Sequence, residues 1–514
     1  NRTVMTFVGD PDSVIKAAFN AIKIASEKID MTRHKGEHPR FGATDVCPLI
    51  PVSNISLKEL VPYAEKLAKR VSEKLNIPIY LYEYAAKEEK RKNLANVRSG
   101  EYEGLKEKIS KKEWKPDFGN SFNKKSGATA IGVRDFLIAY NINLNTKSTR
   151  LANAIAFDVR EKGRIKRKGH PVIGDIVYDK NGNPETIPGS LEHVKAIGWY
   201  IEEFGIAQIS MNLTNITKTP IHTVFEEVSK KAQNRGARVT GSELVGLIPL
   251  NSILDAGRYF LKKQNRSIGI PESDIIKIAV ESLGLSQVKD FEPEKNIIEY
   301  YLDRISNKGN KLVDLSVREF SDEVFRESPA PGGGSVSSYV GSLGTSLAGM
   351  VANLSCNTRG WENKVDTFSD IAYNINKIRE DLLFLVDEDS NAFNKIMNAY
   401  KLPKNNKKES KARLEAINNS TLYAAEVPLR VMKKAFECYE YISKLAKDGN
   451  QNSISDSGVA CLCVYTSIYG AYLNVKINLK EISEDNGIGK NAENLLKKSQ
   501  LEKEKILKYI QGKI

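Results

Sequence analysis

The stretch "FSDIAYNINKIREDLLFLVDEDSNAFNKIM", residues 368 to 397, decides how the second half of the chain folds. Phe368, Ile371, Ile375, Ile378, Leu382 and Leu385 step by threes and fours, which places them on one stripe of a helix. The next step lands on Asp389, and the apolar pattern resumes at Phe393 and Ile396. A carboxylate therefore stands where a core residue belongs. Burying its charge is costly unless it is paired or hydrogen-bonded, and desolvation raises its pKa toward values useful in acid/base chemistry. The stripe leaves two roles open, an anchor to a neighbouring helix end or a proton-transfer group. Asp387 and Glu388 fall off the stripe and read as solvent-facing.

Similar amphipathic runs near 364–400, 408–447, 456–479 and 487–512 make this half an all-α bundle. At its entrance lies "SPAPGGGS", residues 328 to 335. Pro329 and Pro331 stop the preceding helix, Gly332, Gly333 and Gly334 remove side-chain obstruction, and Ser335 can cap the helix that follows. Backbone N–H groups at such a start attract anions; a plain interhelical turn is the other reading, and the Walker pattern is absent. Gly341, Thr345 and Gly349, at four-residue spacing, allow a neighbouring helix to approach closely.

Up to about residue 302 strands and helices alternate, a mixed α/β pattern. Residues 3–8 suggest a strand, 11–29 and 56–75 helices, and "IPIYLYEYA" a strand. In "FLIAYNINL", Ile138, Tyr140, Ile142 and Leu144 share one face and Asn141 and Asn143 the other. "AQISMNLT" repeats the split, with Ala207, Ile209, Met211 and Leu213 opposite Gln208, Ser210, Asn212 and Thr214. One face of each strand suits helices; the amide-rich face suits either a polar ligand cleft or solvent. Around 303–314, "DRISNKGNKLVD" loses periodicity as linkers do.

With 514 residues the chain should hold two or three domains. Cys47, Cys356, Cys438, Cys461 and Cys463 are scattered and form no CxxC, which disfavours a disulfide framework or zinc ribbon and fits a reducing cytoplasm. No signal peptide or run of 18 apolar residues is found; the most tempting, 335–354, is broken by serines and glycines, so no membrane span is expected. A net charge of +13 points to an acidic partner, nucleic acid or a polyanionic small molecule. The densest basic run, "REKGRIKRKG", leads into a β-hairpin around Asn181-Gly182 and reads as a solvated surface.

"MTRHKGEHPRFGATDVCPLIPVS", residues 31 to 53, crowds His34 and His38 among Arg33, Lys35, Glu37, Arg40 and Asp45. That run, with "SGATAIGVRDFLIAYNINL", "VKAIGWYIEEFGIAQISMNLT" and "SELVGLIPL", closely resembles formiminotransferases. "FSDEVFRESPAPGGGSVSS" and "LLFLVDEDSNAFNKIM" resemble cyclodeaminases, in the same order. Nearly the whole chain thus resembles the bifunctional formimidoyltransferase-cyclodeaminase family of histidine breakdown. The resemblance implies an α/β sandwich of two subdomains, with mixed or antiparallel sheets covered by helices on one face, followed by the helical bundle. It divides the chain into 1–136, 137–302, a linker 303–312, and 313–514.

It further implies a folate enzyme of one-carbon metabolism with transferase and lyase activities. The first moves the formimino group of N-formimino-L-glutamate to tetrahydrofolate; the second closes the product to 5,10-methenyltetrahydrofolate with release of ammonia. Both are attacks by nitrogen on an amidine-type carbon and need a proton carrier. His38 matches the transferase histidine, its ordinary pKa of about 6.5 suiting neutral pH. Asp389 matches the cyclodeaminase aspartate. Gly119, Asn120, Ser121, Phe122, Asn123, Lys124, Lys125, Ser126 and Gly127 fall at the folate-binding loop, one residue shorter here than the family pattern. Arg33, Arg40 or Lys35 would hold substrate carboxylates, and Glu37 and Asp45 would orient the imidazole or meet the pterin. Gly332, Gly333, Gly334, Ser335 and Asp456 lie in shared segments near folate or anion. His34, His170, His193 and His222 read as structural.

The co-substrate is tetrahydrofolate, in cells polyglutamylated, and the basic balance would hold its tail; no metal is expected. The family suggests a cytoplasmic homo-oligomer with small-molecule substrates and no nucleic acid. Its pattern starts with a strand, helix and strand ahead of Asn1, so the chain as given is expected to be weak in transfer. Alternatives are a single-activity cyclodeaminase or methenyltetrahydrofolate cyclohydrolase with the N-terminal region as scaffold, and, distantly, a basic nucleic-acid-binding protein.

Overall fold

The computed structural model describes residues 3–34, 40–169, 173–305, 311–480, 482 and 487–514. Backbone contacts divide the chain into two compact units. The first comprises 1–138 with 192–195 and 212–219. It contains α1 (Pro11–Lys28), β1 (Val46–Leu49), α2 (Leu57–Leu75), β2 (Ile79–Glu83), α3 (Glu89–Lys92), α4 (Leu94–Arg98), α5 (Glu101–Ser110) and β3 (Thr129–Val133). β3 pairs in parallel with β1 on one side and β2 on the other. Parallel strands are buried on both faces, and alternation along β2 shows how. Ile79 and Leu81 pack with α1 and α2, whereas Tyr80 and Tyr82 pack with Val97, Leu105 and Ile109. Helix α2 starts with a capping box in which Ser56 and Glu59 satisfy each other's backbone N–H groups.

Residues 3–8 do not form the expected strand. Among the described residues no ladder partner lies beside them, and Val4 and Met5 are 87% and 72% exposed. A period-two pattern yields a strand only where another edge accepts its hydrogen bonds.

The second unit holds 139–191, 196–211 and 220–514. Its elements begin with β4 (Ile138–Leu144), α6 (Thr149–Val159), β5 (Arg164–Ile165), β6 (Thr186–Ile187), β7 (Val194–Ile201), β8 (Ile206–Leu213), α7 (Ile221–Gln233) and β9 (Val239–Val245). They continue with α8 (Leu250–Lys263), α9 (Glu272–Leu283), α10 (Pro293–Asn296) and α11 (Ile298–Ile305). A four-stranded sheet runs in the order β7-β8-β4-β9, with β4 antiparallel to β9. The basic run forms the small antiparallel pair β5-β6, extended by the Tyr178–Pro184 bridge over the Asn181-Gly182 turn. Several of its cations are committed locally: Arg164 and Arg235 share Asp158, and Lys166 pairs with Glu185.

The bundle consists of α12 (Val317–Phe325), α13 (Gly333–Cys356), α14 (Val365–Tyr400), α15 (Lys407–Asp448), α16 (Ile454–Asn478) and α17 (Ile488–Gln511). The stripe from Phe368 to Leu385 is buried in its core, with Leu382 fully covered. α13 lies antiparallel to both α14 and α16, and small residues set the distance. A Cβ on Gly341 would sit 2.5 Å from Ser467 Oγ, and one on Gly344 2.9 Å from Cys463 Cβ. Ser338 Oγ donates to the Leu382 carbonyl across the α13–α14 seam at 2.7 Å. Buried Pro428 interrupts α15. Proline has no N–H for the carbonyl four residues back, and Asn478 Nδ2 donates to that carbonyl, Ala424 O, at 2.7 Å. The loop after α8 is fastened to the bundle, Ile268 N–H donating to Ser369 Oγ and Asn353 Nδ2 to Gly269 O.

The most membrane-like segment is 451–478, with a mean hydropathy of 1.3, rather than 335–354. Its Ala460, Cys461, Val464, Ile468, Ala471 and Val475 are buried among the other helices, the arrangement of a bundle core helix.

Candidate functional sites

Asp389 is met by the first turn of α13. Ser335 donates to Asp389 Oδ2 through its backbone N–H at 2.9 Å and lies with Oγ 3.3 Å from the same oxygen. Ser335 Oγ also donates to Val386 O at 2.7 Å and lies 3.2 Å from Ser390 Oγ. Asp389 is thus tethered to a helix start, where the macrodipole favours an anion. Burial nevertheless raises its pKa above the ordinary carboxylate value, outweighing the lowering by Ser335. The anchor to a neighbouring helix end that the stripe left open is therefore present, on a carboxyl whose pKa is raised. Oδ1 makes no hydrogen bond to any described residue.

The glycines are needed for this approach. A Cβ on Gly334 would lie 2.1 Å from Asp389 Oδ1, and one on Gly333 3.2 Å from Asn474 Nδ2. Ser335 is not the cap it resembles: the helix starts at Gly333 with Gly332 before it, and the Ser335 side chain spans to α14 instead. One N–H at this helix start, that of Ser335, is therefore already taken by a carboxylate, which weakens the anion-binding reading of "SPAPGGGS".

Asp387 and Glu388 are half-buried, not solvent-facing. Asp387 accepts the Leu312 N–H at 2.6 Å. Glu388 accepts from the Tyr423 hydroxyl and pairs with Lys395, whose ammonium lies 4.0 Å from the Tyr423 ring centre. Burial works to raise the Glu388 pKa, but the Tyr423, Asn391 and Lys395 contacts together hold it below the ordinary value. Neighbouring helices cover the residues on either side of the stripe, which period alone could not show. Asp456 stands at the start of α16, by the end of α13 where Asn450 N–H donates to Ser355 Oγ. Gly333 lies instead near Asn474, 18 residues along α16, or roughly 27 Å of helix. Within one chain Asp456 and Asp389 are not brought together.

In the first unit, His38, Lys35 and Glu37 lie outside the described residues, but both flanks of their segment are fixed. Met31 N–H donates to Lys125 O, Ala43 N–H to Ser126 O, and Ala128 N–H to Phe41 O. The His-rich segment and the 119–127 loop are therefore laced together. Gly127, at φ +69°, allows this, because a Cβ there would stand 2.2 Å from Phe41 O. Within the loop Gly119, Asn120, Ser121, Lys124 and Lys125 are exposed, Phe122 and Asn123 half-covered, and Ser126 buried. Asn123 Oδ1 accepts the Ser126 N–H at 2.9 Å, and Tyr102 OH donates to Lys124 O at 2.5 Å.

Arg40 does not offer its guanidinium to a substrate carboxylate. It is 8% exposed and bonds Glu103 through two nitrogens, at 2.8 and 3.0 Å, and Glu101 at 3.3 Å. Nη2 also donates to His34 O at 3.0 Å, bridging the two flanks of the segment. The Glu101 and Glu103 carboxylates make it a clamp. Asp45 likewise serves the scaffold: it accepts the Phe41 N–H at 3.1 Å and pairs with Arg98 at 2.5 Å. Arg33, with an 88% exposed side chain and a 3.9 Å contact to Asp30, keeps its guanidinium available. Arg98, Glu101 and Glu103 complete this scaffold; the two glutamates are signalled in the sequence by the acidic first turn of α5, whereas Arg98, at the end of α4, carries no such signal. His222 stacks on Tyr259 at 4.5 Å and burial lowers its pKa, a structural role. His193 lends its carbonyl to Thr214, and His170 lies outside the described residues.

On the amide face of the four-stranded sheet Asn141, Asn143 and Gln208 are buried in a bonded network, while Asn212 is exposed. Asn141 and Gln208 donate to Glu243 Oε2 at 3.0 and 3.1 Å, Gln208 to Asn143 Oδ1 at 2.7 Å, and Asn143 to Gln287 at 2.7 Å. Among the described residues no cluster of three or more His, Cys, Asp or Glu could hold a metal ion.

Two candidate sites, one loop-borne and one helical, can be compared with known proteins. Residues 1–134 match the formiminotransferase domain, N-terminal subdomain, 139–303 the formiminotransferase domain, and 316–497 the formiminotransferase-cyclodeaminase model. The formimidoyltransferase-cyclodeaminase of Mus musculus is 41% identical over 486 residues, covering 94% of this chain and 86% of the mouse protein. The chain belongs to the formimidoyltransferase-cyclodeaminase family. The Dictyostelium discoideum relative of the same name is 40% identical over 518 residues, all of this chain and 91% of that one. Over 179 residues the chain is also 34% identical to methenyltetrahydrofolate cyclohydrolase of Methylorubrum extorquens, covering 34% of this chain and 83% of that protein. Family membership accounts for the α/β part and the helical bundle on one chain, in the order found.

Proposed function

We infer that the chain carries both family activities: transfer of a formimino group from N-formimino-L-glutamate to tetrahydrofolate, then cyclodeamination to 5,10-methenyltetrahydrofolate and ammonia. The observation that carries the second step is Asp389, a half-buried carboxyl with one oxygen tethered and the other bare. Closure forms a bond from N10 of the folate to the formimino carbon and breaks the bond from that carbon to the leaving nitrogen. One proton must pass from N10 to the departing ammonia. With the formimino group entering as its protonated amidinium, a carboxyl with a raised pKa can accept the N10 proton and deliver it to the departing nitrogen, which leaves as NH3 while the positive charge stays on the methenyl product. In the transfer step His38 moves the corresponding proton from N5 of tetrahydrofolate to the glutamate nitrogen. The laced segments at 31–43 and 123–128 support this placement.

The finer picture is a lyase of histidine breakdown in the cytoplasm that takes polyglutamylated folate. Exposed Lys124 and Lys125 are suited to a glutamate tail. A homo-oligomer fits the outer face of α16. There Val459, Leu462, Tyr469, Leu473 and Ile477, at helical spacing, are 44% to 62% exposed, and a second copy of the chain would cover an apolar stripe of this kind.

The test supplies the full chain with 5-formiminotetrahydrofolate, following methenyl product by absorbance, and separately with formiminoglutamate and tetrahydrofolate. Asp389→Asn should abolish the first reaction and His38→Ala the second. Retention of either activity in its own variant would remove that assignment.

A further inference from the structure

We propose that Ser335 is a positioning residue for cyclodeamination, holding Asp389 Oδ2 against α13 so that Oδ1 alone exchanges protons with substrate. The proposal rests on Asp389 as the proton carrier and adds which oxygen works and what selects it. Ser335 is fully buried. Its hydroxyl has one proton to donate, and the 2.7 Å contact to Val386 O is far shorter than the 3.3 Å contact to Asp389. The hydroxyl therefore chiefly locks the turn of α14 that carries Asp389, while the backbone N–H fixes Oδ2 at 2.9 Å. A carboxylate restrained at one oxygen presents the other in one direction, the geometric condition for efficient proton transfer. Gly334 borders Oδ1 without a side chain that could cover it.

The surroundings leave this oxygen without a competing charge. The first turn of α13 supplies only glycine, serine and valine, and α16 supplies the Asn474 amide. The titratable neighbours are Asp387 and Glu388 on α14 itself, Lys395 further along it, and Tyr423 on α15. Asp387 is engaged by Leu312 N–H, and the other three by one another.

Ser338 provides the internal control. It too is fully buried and donates to an α14 carbonyl at 2.7 Å, but it bonds Leu382 and makes no bond to Asp389. The experiment compares Ser335→Ala with Ser338→Ala in the full chain, measuring thermal unfolding, kcat, KM and the pH–rate profile on 5-formiminotetrahydrofolate. Both variants should lower the melting temperature similarly. Ser335→Ala alone should lower kcat by about tenfold or more with KM within about twofold, and shift the Asp389-dependent limb to higher pH, since releasing the α14 turn from the hydroxyl loosens the backbone N–H bond that favours the charged form. Equal kcat and unshifted limbs in the two variants would overturn the proposal. Activity retained in Asp389→Asn would instead overturn the reading beneath it. Should Ser335→Ala fail to fold, Ser335→Cys keeps the volume, weakens the donor and carries the same expectations.

Discussion

The two candidate sites are built on opposite principles. Around Asp389 a helix start and a helix middle meet through backbone, glycine and serine, with no charged partner on the carboxyl. Around the His-rich segment the chain is irregular, and ion pairs hold it: Arg40 to Glu101 and Glu103, Arg98 to Asp45. Close packing fixes a group by excluding alternatives; paired charges fix it by direction and can be re-formed after a small displacement. The helical site should therefore be intolerant of volume and the loop site intolerant of lost charge geometry.

The sharpest way to break that contrast is Gly334→Ala. Its Cβ would stand 2.1 Å from Asp389 Oδ1, so the carboxyl or the helix start must move. A displacement on the scale of 1 Å costs roughly a hundredfold in rate, with transfer unchanged. Near-normal cyclodeamination would show that packing does not set this site. The loop counterpart is Arg40→Lys, which keeps the charge and loses the fork that reaches Glu101, Glu103 and His34 O together. Formimino transfer should fall roughly tenfold while cyclodeamination on the same chain is preserved, a loss consistent with one charge-assisted bond of about 1.5 kcal/mol. Equal loss of both activities would point to general unfolding.

The smallest effect is on stability. Burial raises the folded-state pKa of Asp389, so between the unfolded value of about 3.9 and the folded value the native state binds more protons. Stability then falls as pH rises through that window, and the cost is complete above it. Asp389→Asn removes the titration. The variant should unfold at a higher temperature than wild type at neutral pH, with a gain in stability of about 1.4 kcal/mol for every factor of ten by which burial weakens the acid, and the gain should vanish as pH drops toward about 4. A melting curve that is lower at pH 7, or a gain that persists in acid, would contradict burial as the cause.

The same contrast explains what could be read from sequence. The bundle was legible because Phe368 to Leu385 repeat with the period of a helix, and the odd residue in that period was Asp389. The ends of α14, α15, α16 and α17 lie within two residues of the apolar runs. Arg40 was legible as a cation but not as a clamp, because Glu101 and Glu103 stand more than 60 residues away in sequence. Glu388 was misplaced for the same reason: Tyr423, 35 residues on, covers it. Residues 3–8 carry a strand pattern, but pairing is a property of two segments and pattern belongs to one. Asn141, Asn143 and Gln208 were placed on the correct face, while their burial depended on one another.

The proline in α15 has a consequence for how this sequence can change over time. Asn478 gives Ala424 O the hydrogen bond that Pro428 cannot. Replacing Asn478 first would strand a carbonyl among packed helices, a step costing roughly 1–3 kcal/mol. Replacing Pro428 first would give Ala424 O a backbone partner and make the amide dispensable. The two positions should therefore be inherited as a pair, and lost in one order only.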